Sequence, residues 1–526
     1  MLLLGGRIHA PGAPDATAMA VQDGVVVWVG QDGPAKALYP DFEVVRLDGA
    51  FVAPAFVDPH VHATSAGLLL TGLDLTGCTS SADVLDAVRR AEGDIVWGHG
   101  WDETTWPEGR PPTRAEIDAV AGGRRVYLSR IDVHSALVSS AAVDHAPGTR
   151  GSDGWDPDGP LSRTAHHRVR RVALRELSAD QGTTAARAFL RHAASRGVAS
   201  VHECAGPDIS GLQDLADVMA LGRSDSLPDV VGYWGEIGAF EAARELDLRG
   251  LAGDLFVDGA IGSRTAALHE PYADATTSGN RYLDTGDIAE HLIECTNAGL
   301  QAGFHVIGDA AVSAVVDGFA KAADTVGRDA LAAARHRLEH VEMITMAQAE
   351  QVASWGVIAS MQPMFDAAWG GPDGMYVQRL GERGTTLNPF SMLARSGVAL
   401  AFGSDAPVTP VDPWRSVQAA VHHRTPGSGV SARAAFTAHT RGGWRAAGVD
   451  DGLTGMLVPG APATYAVWET GDLVVAGSDS RVQRWSTDPR SGVPGLPALD
   501  PGVELPKCVR TVLRGKTIFE KGWLDG

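Results

Sequence analysis

The sequence predicts an α/β fold: a (β/α)8 TIM barrel with an inserted subdomain, plus a small β-sandwich built from both chain ends. Three observations carry that expectation. From about residue 190 onward, short apolar runs alternate with Ala-rich stretches of helical length, the rhythm of βα units that build a parallel sheet. Several of those runs end on a histidine or an aspartate, and function in this barrel collects at the C-terminal ends of the strands. The two chain ends share a hairpin texture that the middle lacks.

Taken in order, residues 1–53 and 459–526 are assigned to one composite β-sandwich domain. Ala18–Val21 and Val25–Val29 flank Asp23-Gly24, and Asp-Gly between Val-rich runs is a hairpin signal. The tail supplies Ala463–Glu469, Arg481–Trp485 and Val509–Phe519, with a Pro/Gly/Asp-rich surface excursion at Ser486–Pro506. Residues 54–458 form the barrel. Its first strand ends in Asp58-Pro59-His60-Val61-His62. An inserted subdomain at about 65–185 follows, with strands at Asp94–Trp97 and Arg125–Ser129, a lid or wall for a site. Strands two to four are expected at Val198–His202, Val230–Trp234 and Leu255–Val257. Strands five and six run into His305 and His340, strand seven covers Val357–Met361, and strand eight, Val398–Phe402, leads to Asp405. Leu212–Leu221, Ala310–Thr325 and Met346–Trp355 read as helices between them.

A chain of 526 residues exceeds one small core. Its net charge of −20 argues against nucleic acid or an anionic membrane as partner, since both need a basic face. No apolar stretch approaches the ~20 residues of a membrane span, and the first residues read as a strand rather than a signal peptide. Cys78, Cys204, Cys295 and Cys508 form no CxxC pair, which suggests a reducing, cytoplasmic setting. The expected partner is a small-molecule substrate, and a homodimer is the base-rate expectation for assembly.

His60 and His62 are two residues apart, so a strand directs both imidazoles to one face. With His305, His340 and Asp405 they form a nitrogen and oxygen donor set. That set suits zinc, with iron or manganese as alternatives. One or two such ions would lower the pKa of bound water from 15.7 to about 7. Asp405 is the expected general base and acid, accepting a proton from that water and passing it to a leaving amine.

The motifs Pro54–His62, Leu255–Leu268 (with Asp258-Gly259-Ala260-Ile261-Gly262-Ser263-Arg264), His305–Asp309, Arg337–His340 and Gly403–Val408 resemble the amidohydrolase superfamily of metal-dependent hydrolases. Within it the chain is similar to the branch that includes N-substituted formamide deformylases. The resemblance implies His60, His62, His305 and His340 as metal ligands and Asp405 as ligand and catalytic acid/base. It also places a metal-bridging lysine at position 254, where this chain has Asp254. Aspartate is shorter than a carbamylated lysine. A mononuclear site, a bridge from another carboxylate (Glu203 or Glu236) and an impaired enzyme are the three outcomes this leaves open. Asp258, Arg264, Gln362 and His134 are expected to shape the substrate pocket. The expected function is hydrolysis of a non-peptide C–N bond in an amide, N-formyl group or cyclic amide. A heterocycle deaminase, a lactonase or a catalytically silent metal-binding protein are the alternatives.

Overall fold

Eight parallel strands form one sheet in sequential order. They are β1 (Phe56–Val61), β2 (Val198–Ala205), β3 (Asp229–Trp234), β4 (Gly250–Leu251), β5 (Gln301–Val306), β6 (Arg337–His340), β7 (Ile358–Met361) and β8 (Ala399–Phe402). The computed structural model describes residues 1–175, 177, 179–224, 226–474 and 494–522. The two outer strands meet just past their ends. Val61 bridges Ala406, Asp405 N donates to His60 O at 2.9 Å, and His62 N donates to Ala406 O at 2.8 Å. The sheet is thereby closed into a ring.

The barrel strands are apolar runs because they are covered on both sides. All eight residues of β2 are buried. The helix Thr285–Ala298 shows how the outer layer is specified. Asp284 caps it and Asp287 completes a reciprocal capping box, while Gly299 ends it at φ 71°. Ile288, Leu292 and Cys295 recur at helical spacing and are buried.

Both chain ends contribute to a β-sandwich. One sheet contains Val25–Gly30, Ala18–Gln22, Leu2–Leu4 and Val44–Arg46, and the other Arg7–Ile8, Phe51–Pro54, Tyr465–Glu469, Lys507–Leu513 and Lys516–Glu520. Leu3, Met19, Val52, Tyr465, Val467 and Val512 share the core of this sandwich. The strand expected at Arg481–Trp485 lies outside the described residues. The insert follows β1 and has its own five-stranded sheet, including Ile95–Trp101 and Arg125–Arg130. It has its own core around Val84, Trp101, Ile117 and Leu128.

The fourth strand departs from expectation. It is the two-residue β4, not Leu255–Val257. Gly250 packs so closely on β5 that a Cβ would lie 2.1 Å from Gln301 O. Gly253 then takes φ 78° and bends the chain out of the ladder. Pairing with β5 resumes beyond the bend, where His305 N donates to Leu255 O at 2.9 Å and Val257 N to His305 O at 3.0 Å. Asp254 sits at the bend.

Candidate metal centre

His60 and His62 emerge from the tip of β1 on one face, as period two requires. Both are buried. Beneath them Asp58 anchors the tip, accepting from Ser404 N at 2.9 Å. His340 and Asp405 have φ of 70° and 55°, the left-handed region that non-glycine residues seldom adopt and that clusters at functional sites. At His340 this twist has a use. Glu339 and His340 would face opposite ways in a regular strand, yet both reach the same centre.

Six side chains converge. Asp254 Oδ2 lies 3.2 Å from His62 Nε2, and its Oδ1 lies 3.5 Å from His60 Nε2, 3.2 Å from His305 Nδ1 and 3.9 Å from His340 Nε2. Asp405 Oδ1 lies 3.5 Å from His60 Nε2 and 3.3 Å from His62 Nε2. Three overlapping donor triads result: His60, His62 and Asp254; His60, His340 and Asp405; Asp254, His305 and His340. Two ligands on a tetrahedral zinc, with bonds near 2.0–2.1 Å, stand about 3.3 Å apart, which is the spacing found here. His60 Nε2 and Asp405 Oδ1 are buried without a hydrogen-bond partner. Buried polar atoms are seldom left so, and a cation among them satisfies both. The residues therefore fit a divalent metal.

Charge balance agrees. Burial works against protonating His62, but its hydrogen bonds to Asp254 and Asp405 outweigh burial and push it up to about 9. His60 is likewise raised against burial, by Cys204, Asp405 and Asp254. The centre draws in positive charge, and a metal ion would displace those protons.

A surrounding layer orients the ligands. His60 Nδ1 lies 2.9 Å from Glu339 Oε2, which leaves Nε2 pointing into the cluster. Burial acts upward on Glu339, but Arg337 outweighs it and holds the carboxyl well below its usual range. Arg337 also donates to Pro59 O at 2.6 Å and lies over the Tyr233 ring at 4.5 Å. His340 Nδ1 meets Gln362 Oε1 at 2.8 Å. Carboxylate and carbonyl partners of this kind fix a ligating imidazole's tautomer and orientation. The sequence assigns Glu339 and Arg337 no role, because strand alternation alone sends Glu339 away from His340.

The other expected residues scatter in role. Asp254, feared too short, reaches four histidines because the Gly253 bend carries its backbone inward. Glu203 is buried, but its Oε2 accepts from Ala63 N at 2.7 Å and it joins none of the donor triads; burial raises it to about 7. Glu236 is exposed and accepts from Trp234 Nε1 at 2.7 Å, so it is no substitute bridge. Asp258 does not face the pocket; its carboxylate accepts from Ile307 N, Gly308 N and Ala267 N at 2.8–2.9 Å and pins the loop to β5. Arg264 pairs with Asp274 at 2.7 Å rather than with Asp258 or Glu270. Gln362 holds His340, as above. His134 does enter from the insert, its ring centroid 5.2 Å from that of His305.

Arg264 belongs to an ionic clamp between insert and barrel. Arg130 binds Asp102, Glu103 and Asp132 at 2.8–2.9 Å. Arg379 joins Glu103 at 3.3 Å and Asp274 at 2.8 Å, and Ser263 Oγ donates to Asp132 at 2.6 Å. The clamp holds His134 over the centre. Between them lies a small cavity whose walls include Ile261, Phe365, Trp369, Met375 and Tyr376.

A closed ring of eight parallel strands with a histidine and aspartate cluster at its C-terminal rim is the architecture of a metal-dependent hydrolase. The family model described as "Amidohydrolase family" matches residues 43–519, and the chain belongs to that family. It is 28% identical over 452 residues to amidohydrolase YtcJ of Bacillus subtilis, covering 77% of this chain and 80% of that protein. It is 24% identical over 454 residues to the N-substituted formamide deformylase of Arthrobacter pascens, covering 78% and 81%. Its fold matches a solved, uncharacterized metal-dependent hydrolase from Pyrococcus furiosus with a TM-score of 0.69 and 29% identity, covering 89% of this chain and 98% of that one. The chain is accordingly a hydrolase acting on carbon–nitrogen bonds. Among the described residues no helix is long and apolar enough to cross a membrane, and all four cysteines are free.

Proposed function

We propose that this protein hydrolyses a non-peptide amide, with an N-formyl or N-acyl amine as the foremost class, at a centre holding two divalent ions, zinc first among them. The observation that carries the proposal is the position of Asp254. Its Oδ2 lies toward His62, while its Oδ1 lies among His305, His340 and His60. A carboxylate so placed can bridge two ions in the role a longer side chain would fill.

His60 and His62 would hold one ion and His305 and His340 the other, with Asp254 shared. When bound, the ions supply Lewis acidity toward the substrate carbonyl and make water acidic enough to ionise near neutral pH. Asp405, beside His60 and His62, takes the proton from the attacking water and returns it to the departing nitrogen. Glu339 and Gln362 keep His60 and His340 aimed while charge builds. The insert, with His134, covers the reacting atoms and excludes bulk water.

Elemental analysis of the purified chain, followed by a screen of N-formyl and N-acyl amines, tests the reading. About two tightly bound ions and turnover of at least one amide are expected. Asp405→Asn should keep metal and lose turnover. Loss of neither would overturn the assignment of the proton carrier, and turnover of lactones alone would overturn the amide assignment.

A further inference from the structure

Among the described residues the buried arginines are Arg114, Arg130, Arg170, Arg337, Arg379 and Arg510. Arg130, Arg337, Arg379 and Arg510 each meet a carboxylate, and Arg114 donates to the carbonyls of Pro157 and Gly159. Arg170 has neither an ion pair nor a hydrogen bond, although only 5% of it is exposed. A guanidinium stays charged, and arginine is almost never buried unless it is paired. Its donors are not walled in. Arg114 and Arg163 each hold an Nε that is sealed from solvent without a partner, and no nitrogen of Arg170 is so sealed. The little exposure this side chain keeps therefore includes its N–H groups.

This charge lies at the seam between the insert and the barrel rim. Arg170 is on the insert helix Arg163–Arg175, four residues past His166 and so on the same face. His166 Nε2 lies 2.8 Å from Tyr127 Oη, which sets that face against the insert's sheet. His99, from the same sheet, reaches Pro407 O at 3.0 Å, two residues past Asp405. His167 lies against Phe256 with ring centroids 6.1 Å apart, and Phe256 lies 4.8 Å from His305. The charge of Arg170 acts on His99, Tyr127, His166 and His167, and none of them answers it. Burial holds His99 down to about 4 and His166 well below its usual range, and it raises Tyr127 to about 12. Asp208, 3.7 Å from His167, is already claimed by Arg171.

An anion would complete this arrangement, and a carboxylate matches it best. Its two oxygens accept the paired donors of a guanidinium in a fork, which a spherical ion cannot do. We propose that Arg170 anchors a carboxylate-binding site at the seam between insert and barrel. The carboxylate belongs either to the substrate or to a free carboxylate ion. The first case rests on the amide-hydrolase reading above and narrows it to amides of amino acids; the second stands without it.

The probes are N-formylglycine and its longer ω-amino acid homologues, each set against its own primary carboxamide, and acetate alone. The carboxamide is nearly isosteric with the carboxylate and keeps the formyl group, so the ratio of affinities isolates the charge. Each probe is titrated calorimetrically into the full zinc-loaded Asp405→Asn chain, where binding is read without turnover. At least one carboxylate should bind about tenfold or more tightly than its carboxamide. Adding Arg170→Gln should bring that ratio close to what the zinc alone gives, a loss of about threefold or more, and Arg170→Lys should keep part of it. This result assigns the site to the substrate. Acetate binding that Arg170→Gln abolishes, without a preference in the formamide series, assigns it to a free ion; either result supports the proposal. Absence of any preference for a carboxylate together with no Arg170-dependent acetate binding overturns it. So does a ratio that Arg170→Gln leaves unchanged. Where Arg170→Gln does not fold, Arg170→Lys decides, since it keeps the charge and loses the fork: an unchanged ratio overturns the proposal. Failure of the hydrolase reading looks different: the zinc-loaded chain turns over no amide, whatever the ratio.

Discussion

Two acid-rich clusters, one half-buried and one buried, stand close together in this protein, and they differ in where their positive charge comes from. In the clamp, Asp102, Glu103, Asp132 and Asp274 face Arg130, Arg264 and Arg379. Every carboxylate there has a guanidinium from the chain itself. In the metal centre, Asp254 and Asp405 face only imidazoles, and His60 Nε2, His62 Nδ1 and Asp405 Oδ1 are left orphaned. The first cluster is complete and therefore structural. The second lacks a cation of its own and therefore fits one. Counting acids would not separate the two; asking which atoms lack a partner does.

Substitutions can break or sharpen this contrast. The largest effect is expected at Asp254. Asp254→Ala removes the side chain common to both histidine pairs, and should cost at least one bound ion and lower turnover about a thousandfold or more, read by elemental analysis and kinetics. Full metal occupancy in that variant would dissolve the proposed bridge. Arg130→Met comes next. It leaves the buried Asp132 without a cation and takes one partner from the half-buried Asp102 and Glu103, so the chain should lose about 3–5 kcal/mol of stability in urea unfolding while its metal content stays unchanged. Metal loss there would show that clamp and centre are one unit.

Glu339→Gln probes the boundary between the two kinds of cluster, since Glu339 pairs with an arginine on one side and a ligand histidine on the other. Metal affinity should fall about 10–100-fold in chelator competition. The smallest effect is a pH dependence outside both clusters. Burial holds His99 down to about 4 and His336 and His439 to about 3. At these rings the folded chain then binds fewer protons than the unfolded one below about pH 6.5. Their contribution to stability should be flat above about 6.5 and fall as pH drops from there toward 4, opposed by Glu203, whose buried carboxyl is raised to about 7. NMR titration of the rings reads this directly, and imidazole shifts that titrate near pH 6.5 would contradict their neutral burial.

Much of this was legible in the amino-acid sequence, for a physical reason. Strands two, three and five to eight begin and end close to their expected positions because their C-terminal halves are buried. His60 and His62 share a face because alternation is a property of any strand. Asp405 follows its strand at a turn that the run Phe402-Gly403-Ser404 announces. What was not legible depended on single backbone angles and distant partners. Asp254 reaches the centre through the positive φ of Gly253, and Glu339 joins His340 there only because His340 is twisted. Asp258 looks like a site residue in its motif, yet two amides just past β5 and that of Ala267 claim its carboxylate. Arg264 finds its acid ten residues on, in a loop whose path no local pattern fixes.

The backbone bonds between His60 and Asp405, and between His62 and Ala406, have one more consequence. They stitch the first and last staves of the cylinder together, and three of the four residues involved, His60, His62 and Asp405, carry donor atoms. A tightly held ion would therefore act as a rivet across that seam, and stripping it should loosen the cylinder there first, with amide exchange rising at residues 60–62 and 405–406 before it rises elsewhere.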